Sequence, residues 1–193
     1  MSERPEAEST GRARFEALAM PCLDALRGTA LRLTRSPEDA ADLVQETFLR
    51  AYRTFSNFTP GTNGKAWLFT IMCSIFVNAY RKGRREPETV SIEELEARFE
   101  RSLEIPDWKA HLEVLQNPNL NLKGSEVEQA LQRIPESFRL AVLLVDVEDL
   151  SYEEAAAVTQ SPLGTLRSRL FRGRRMLALE LGDYARRIGY VRP

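Results

Sequence analysis

Apolar residues recur every three to four positions along most of this chain, which predicts an all-α protein. Phe15, Leu18, Ala19, Cys22, Leu26, Ala30 and Leu33 form the first stripe, with Pro21 placed to kink or restart the helix. A second helix opens at Ser36-Pro37-Glu38-Asp39, an N-cap followed by proline and first-turn acids, and runs to about Phe55. Leu43, Val44, Phe48, Ala51, Tyr52 and Phe55 make its core side, whereas Asp42, Gln45, Glu46, Leu49 and Arg53 share the opposite face. A leucine inside that polar stripe suggests a contact surface, against the simpler alternative of a scattered exposed leucine. A turn-rich loop, Ser56 to Lys65, leads to a third helix from Ala66 to about Lys82. Trp67, Thr70, Ser74, Val77, Asn78 and Arg81 fall on one side of it; Leu68, Ile71, Met72, Ile75 and Ala79 fall on the other.

The pattern then weakens. Pro87, Pro106 and Pro118 interrupt residues 85–124, where one short helix, capped by Ser91 and Glu94, is expected up to Arg101. Beyond this partly structured acidic linker, Ser125 and Glu128 form another capping box. Val127, Leu131 and Ile134 carry the stripe to Pro135, and Phe138, Ala141, Val142 and Val145 carry a further helix. The expected organisation is a flexible N-terminus (1–12), a helical domain (13–84), the linker (85–124), a second helical domain of about four helices (125–182) and a tail (183–193).

The most informative segment is Ser151 to Arg175. Ser151 with Glu154 is a capping box, and Ser161-Pro162 opens a second, longer helix after a four-residue turn, so the segment reads as a helix-turn-helix. Leu163, Leu166, Leu170, Leu177 and Leu181 share one stripe of the longer helix; Arg167, Ser168, Phe171, Arg172 and Arg175 lie on the other side. An arginine-bearing helix fits the major groove, where guanidinium groups read guanine bidentately or pair with phosphates. The alternative is a solvated basic face on an ordinary bundle helix; the capped helix and turn before it favour DNA. In the first domain, Phe58 and Trp67 beside polar groups and a basic helix end have the makings of a single-strand site, although either ring alone reads more readily as core.

Charge and composition narrow the class. The net charge of −1 conceals two basic clusters, Arg81 to Arg85 and Arg167 to Arg175, offset by an acidic run from Glu86 to Glu104; distribution governs attraction to a polyanion. Two distant cysteines, Cys22 and Cys73, exclude a disulfide framework and a cysteine-rich zinc site within the chain. The single histidine, His111, has no nucleophile, carboxylate pair or phosphate loop near it in sequence, which argues against an enzyme and implies no cofactor or metal. No signal peptide or membrane-length apolar run is present, so the expected location is the cytoplasm, without membrane insertion.

With these motifs in order, residues 13–181 resemble a bacterial RNA polymerase sigma factor of the extracytoplasmic-function type. Asp39 to Tyr52 is similar to the family's polymerase-clamp-binding helix, Trp67-Leu68 and Asn78-Ala-Tyr-Arg81 to its promoter-melting helix, and Gly164 to Leu170 to its upstream-element reader. The resemblance implies two domains equivalent to sigma regions 2 and 4. It implies that Asp42, Gln45, Glu46, Leu49 and Arg53 dock on the β′ clamp helices of core RNA polymerase. Asn57, Phe58, Asn63, Lys65 and Trp67 would serve capture of a flipped base from the single-stranded −10 element, and Ser74, Asn78, Arg81 and Lys82 would meet the adjoining strand and phosphates. Thr165, Arg167, Ser168, Phe171, Arg172 and Arg175 would enter the double-stranded −35 element, and Val127 to Val147 would cradle the β flap tip. The linker would pass near the RNA exit path, where its acids could mimic nucleic acid. Cys73 and Ser74 stand where the family more often has arginine and asparagine, which alters strand contacts there. Control in a stress response would come from an anti-sigma factor; the loop at Gly61 to Trp67 and the Tyr80-Arg-Lys82 end look most like the branch with zinc-containing anti-sigma partners.

Two other classes fit parts of the pattern. A free-standing helix-turn-helix regulator would use its first domain to dimerise or sense a ligand, but needs neither the Asp39 to Tyr52 face nor Phe58 and Trp67. A helical adaptor that binds only protein leaves Arg167 to Arg175 unexplained.

Overall fold

The computed structural model describes residues 4–80, 92–103 and 126–187, and every regular element among them is helical. The chain divides into two compact units, one built on residues 1–85 and the other on residues 86–156 and 160–193.

The first unit contains α1 (Arg4–Ala19), α2 (Leu23–Thr34), α3 (Pro37–Arg53) and α4 (Gly64–Ile75). Helix α1 therefore extends into the segment read from sequence as a flexible N-terminus. The expected effect of Pro21 is visible as a single 3₁₀ turn, Met20–Cys22, which separates α1 from α2 because proline supplies no N–H to an α-helical ladder. Helix α2 ends at Arg35 in the left-handed conformation (φ 60°). Ser36 then caps α3, its Oγ accepting from the Asp39 N–H at 3.2 Å. Helix α3 packs on α2 and α4, and α1 packs on α3 and α4. Leu26, Leu33, Leu43, Leu68, Phe69 and Met72 are fully buried between them. Thr47 is also fully buried, its hydroxyl satisfied by the Leu43 carbonyl at 2.7 Å, while Tyr52, expected on the core side, is 46% exposed at the rim. Helix α4 continues through one π turn, Phe76–Tyr80.

The second unit contains α5 (Ile92–Leu103), α6 (Glu126–Arg133), α7 (Glu136–Val142), α8 (Tyr152–Val158) and α9 (Leu163–Arg187). Helix α5 lies in the sequence read as linker, yet it packs on α9. The Ser91 cap, the Ser125 cap, His111 and the rest of the linker lie outside the described residues. Helix α7 passes through a π turn, Leu143–Val147, before the helix-turn-helix. The capping box is formed: the Ser151 N–H donates to Glu154 Oε2 at 2.8 Å and the Glu154 N–H donates to Ser151 Oγ at 3.1 Å. Gln160 takes the left-handed conformation (φ 49°) and the Ser161 N–H returns to the Ala156 carbonyl at 3.0 Å, a Schellman-type stop that sets the turn into α9. Helix α9 runs to Arg187, four residues past the expected start of the tail. Leu166, Leu170, Leu177 and Leu181 bury against α6 and α7, as the stripe predicts.

Two glycines of α9 make opposite demands. A Cβ at Gly173 would stand 2.8 Å from Val142 Cγ2 and 2.9 Å from the Phe138 carbonyl oxygen, so the approach of α9 to α7 requires glycine there. A Cβ at Gly164 meets nothing within 4 Å. Gly173→Ala is expected to destabilise the protein by about 1–3 kcal/mol, whereas Gly164→Ala should be neutral or stabilise it by up to about 1 kcal/mol. Urea unfolding of the two variants checks this; equal shifts of one sign would contradict the close-approach account.

Candidate nucleic-acid interface

The outward face of α3 carries Asp42, Gln45, Leu49 and Arg53 exposed and Glu46 half-buried, as the sequence predicts. Glu46 is paired with Arg50 one turn on, Arg50 Nε donating to Glu46 Oε1 at 2.5 Å. Leu49 is 44% exposed, an apolar group standing among these charges.

The loop between α3 and α4 is held by rings. Phe15 of α1 meets Phe48, Tyr52 and Phe55 edge-on, with centroids 6.2, 5.3 and 5.4 Å away. Phe55 stacks parallel on Phe58 at 5.9 Å, and Trp67 tilts against Phe55 at 6.2 Å and Phe58 at 5.1 Å. Phe58 and Trp67 are thus half-buried members of one cluster that reaches the surface, while Asn57 beside them is exposed. Asn63 has a structural task that the sequence reading did not give it. It is the N-cap of α4, its Oδ1 accepting from the N–H groups of Lys65 at 3.0 Å and Ala66 at 3.2 Å. Gly64 lets α4 start against α1, since a Cβ there would stand 2.8 Å from the Leu18 side chain.

Further along α4, Asn78 is exposed and Ser74 half-buried. Cys73 faces the core, and burial pushes its thiol up to about 12, so it stays protonated and packs as a small apolar group. Arg81 and Lys82 lie outside the described residues.

In the second unit, α9 presents Arg167, Ser168, Phe171 and Arg172 outward, with Thr165 half-buried. The Ser168 hydroxyl is turned back to the Thr165 carbonyl at 2.9 Å. Arg167 sits 6.0 Å from the centroid of the Tyr152 ring of α8. Arg175 departs from the expectation: it is 6% exposed, and its Nη2 donates to the Ser102 carbonyl of α5. Burial lowers its pKa, because the charged form has lost water. Its azimuth on α9 is that of the reading face; α5 covers it.

Sequence reasoning missed the pair that fixes the rotation of α9. Arg174 donates to both oxygens of Asp146, at 2.5 and 3.0 Å, and to the Tyr152 hydroxyl at 3.5 Å. These bonds raise the Arg174 pKa. The only sequence signal was a basic residue on the flank between the leucine stripe and the arginine face. Among the described residues, no three potential ligands gather to hold a metal ion, and no helix is long and apolar enough to cross a membrane.

The described residues thus form two helical units, one with an aromatic-braced loop and one with an arginine-faced helix-turn-helix. Residues 18–86 match the sigma-70 region 2 family model and residues 125–177 the sigma-70 region 4 model. Relatives include the ECF RNA polymerase sigma factor EcfG of Rhodopseudomonas palustris, 37% identical over 82% of this chain and 80% of the relative. They also include SigE of Mycolicibacterium smegmatis, 36% identical over 90% and 68%. The chain belongs to the ECF RNA polymerase sigma factors of the sigma-70 family. Among solved structures it is similar to the sigma factor RpoE of Bartonella quintana, determined with the anti-sigma factor NepR (29% identity, TM-score 0.66, 88% of this chain and 97% of that one). It shares the fold of CnrH, determined with the cytosolic domain of CnrY (24% identity, TM-score 0.60, 92% and 94%).

The capping role of Asn63 separates from any strand contact by substitution. Asn63→Ala should cost about 1 kcal/mol of stability, and Asn63→Asp, which keeps the cap, should cost only a few tenths. Thermal unfolding of both variants checks it; an equally large loss for Asp would mean that the cap is not what Asn63 contributes.

Proposed function

We propose that this sigma factor binds core RNA polymerase through the outward face of α3, with Leu49 as the apolar centre and Asp42, Gln45, Glu46 and Arg53 around it. The exposed leucine among charges supports this reading, because an apolar centre with a polar rim is what a protein interface needs. Asn57, Phe58, Asn63, Lys65 and Trp67 form the −10 site, with Phe58 and Trp67 as a braced ring platform and Asn57 as its exposed polar neighbour. Ser74, Asn78, Arg81 and Lys82 continue that site along α4. The −35 duplex meets Thr165, Arg167, Ser168, Phe171, Arg172 and Arg175. The observation that carries the reading is the division of α9 into a leucine face buried in its own unit and an arginine face turned outward.

The chain makes no covalent change in its partners. It acts in the cytoplasm by recruiting the polymerase and holding opened DNA. Its similarity to the Bartonella quintana factor supports control by an anti-sigma protein that covers the α3 and α9 surfaces.

The test is run-off transcription by sigma-free core polymerase on a library of random −35 and −10 sequences. Transcripts enriched for one pair of elements only when this chain is added are expected; no core-dependent initiation, with sequence-specific binding by the chain alone, would support a free-standing regulator. Leu49→Ala should weaken core binding by about 1–2 kcal/mol, roughly five- to thirtyfold in Kd by anisotropy titration. In the holoenzyme, Arg172→Ala should cost about 1–3 kcal/mol at one or two −35 base pairs. A uniform loss across all sequences would assign Arg172 to phosphate instead.

A further inference from the structure

We propose that α5 is an intramolecular cover on the DNA-reading face of α9 and must leave it before the −35 duplex can enter. The proposal rests on the reading of α9 as the −35 helix.

Five contacts hold the cover. Phe99 of α5 meets Phe171 edge-on at 6.2 Å, and the Arg172 guanidinium lies 5.4 Å from the centroid of the same Phe99 ring. Arg175 donates to the Ser102 carbonyl in the last turn of α5, where an α-helix has carbonyls without intrahelical partners and favours a cation. Arg98 donates at once to Glu180 Oε1, at 2.7 Å, and to the Arg133 carbonyl, at 2.9 Å, tying α5 to α9 and α6. Three of the six residues assigned to the −35 element are therefore engaged by one short helix of the same chain.

The geometry makes the cover and the duplex exclusive. A major groove about 12 Å wide admits one helix about 10–12 Å across. A second helix packed at about 8–10 Å between axes on the outward side of the first leaves no room for the groove walls. The charges also compete in kind: α5 carries four glutamates and two arginines, so a helix of net charge −2 occupies the place of a polyanion.

The cover is built to come away. Phe171 of α9 stays 47% exposed and Leu103 of α5 50% exposed, so the interface is narrow. Twelve residues are marginal for an isolated helix in water, so α5 depends on α9 for its order. On release Arg175 exchanges a buried carbonyl for a phosphate, which offsets part of the loss. Residues 92–103 precede the helix-turn-helix in sequence and are held to α9 only by the contacts above. The free chain then hides its reading face, and an event that detaches α5 exposes it.

The experiment measures anisotropy of a labelled duplex carrying the −35 sequence enriched in the transcription selection, titrated with the full chain without polymerase. Phe99→Ala, verified as folded by circular dichroism, should bind at least about fivefold tighter than wild type, since removing a competing closed state raises apparent affinity. Equal or weaker binding by the folded variant would overturn the cover. In parallel, amide hydrogen exchange of residues 98–103 in the wild-type chain should accelerate when duplex is saturating; protection retained in the complex would overturn it equally, even if the variant failed to fold. Holoenzyme made with Phe99→Ala should keep the wild-type start sites. If wild-type holoenzyme selects no promoter at all, the failure belongs to the sigma-factor reading and not to the cover.

Discussion

Helix α9 must bury one side in its own unit and present the other to DNA, and the second unit is organised around keeping its rotation fixed. The leucine side supplies the burial, with Leu166, Leu170, Leu177 and Leu181 each at most 2% exposed. Burial alone would tolerate some roll about the axis. The roll is removed at two points. Gly173 brings the backbone of α9 against the Phe138 carbonyl, and Arg174 is clamped on both oxygens of Asp146. Because 173 and 174 flank the arginine face, the direction of Arg167, Phe171 and Arg172 follows from these two contacts. The stop at Gln160 and the Ser151 capping box then set α8 at the start of that helix, with Tyr152 beside both Arg167 and Arg174.

The first unit meets a different constraint. In the proposed −10 site the loop must expose side chains to an unpaired strand without collapsing. Rings add to its own backbone bonds, from the N–H groups of Asn57, Phe58 and Thr62 to the carbonyls of Thr54, Phe55 and Thr59. Phe55 is the hub between Phe15 of α1 and the pair Phe58 and Trp67, so the loop is anchored in the bundle through aromatic faces and edges. The Asn63 cap fixes where α4 begins. A platform braced in this way suits the proposed capture of a base, because it needs little rearrangement and so lowers the ordering cost of binding.

Much of this was legible in the chain. The Ser36 and Ser151 caps, the leucine stripe of α9, the exposed Leu49 and the 3₁₀ break at Pro21 follow from local chemistry, and local chemistry is what periodicity and capping rules encode. Four features were not legible: two depend on which helix packs against which, and two on where a helix begins or how a side chain is satisfied within it. The stretch containing α5 looked like linker because its prolines and acids break the pattern on either side, and nothing in Phe99 or Ser102 says that the partner is α9. Arg175 shares an azimuth with Arg172, so one helical wheel cannot distinguish the exposed residue from the covered one. Tyr52, expected on the core side, leans to the rim at the helix end, and Thr47, which the periodicity did not place, is buried because its hydroxyl is satisfied by its own helix. Asn63 read as a DNA contact because an asparagine in a turn-rich loop has several uses, and the cap becomes visible only once the first turn of α4 is placed.

The account requires one chain to join duplex reading to strand opening, with the polymerase as the partner that couples them. Permanganate probing of thymines in a promoter from the transcription selection tests this most directly, with core polymerase alone, the chain alone, and both together. Reactive, unpaired thymines at the −10 element are expected only when both are present. Thymines that stay paired with both present, while the chain alone protects the −35 duplex, would contradict it and leave a regulator that binds DNA without opening it.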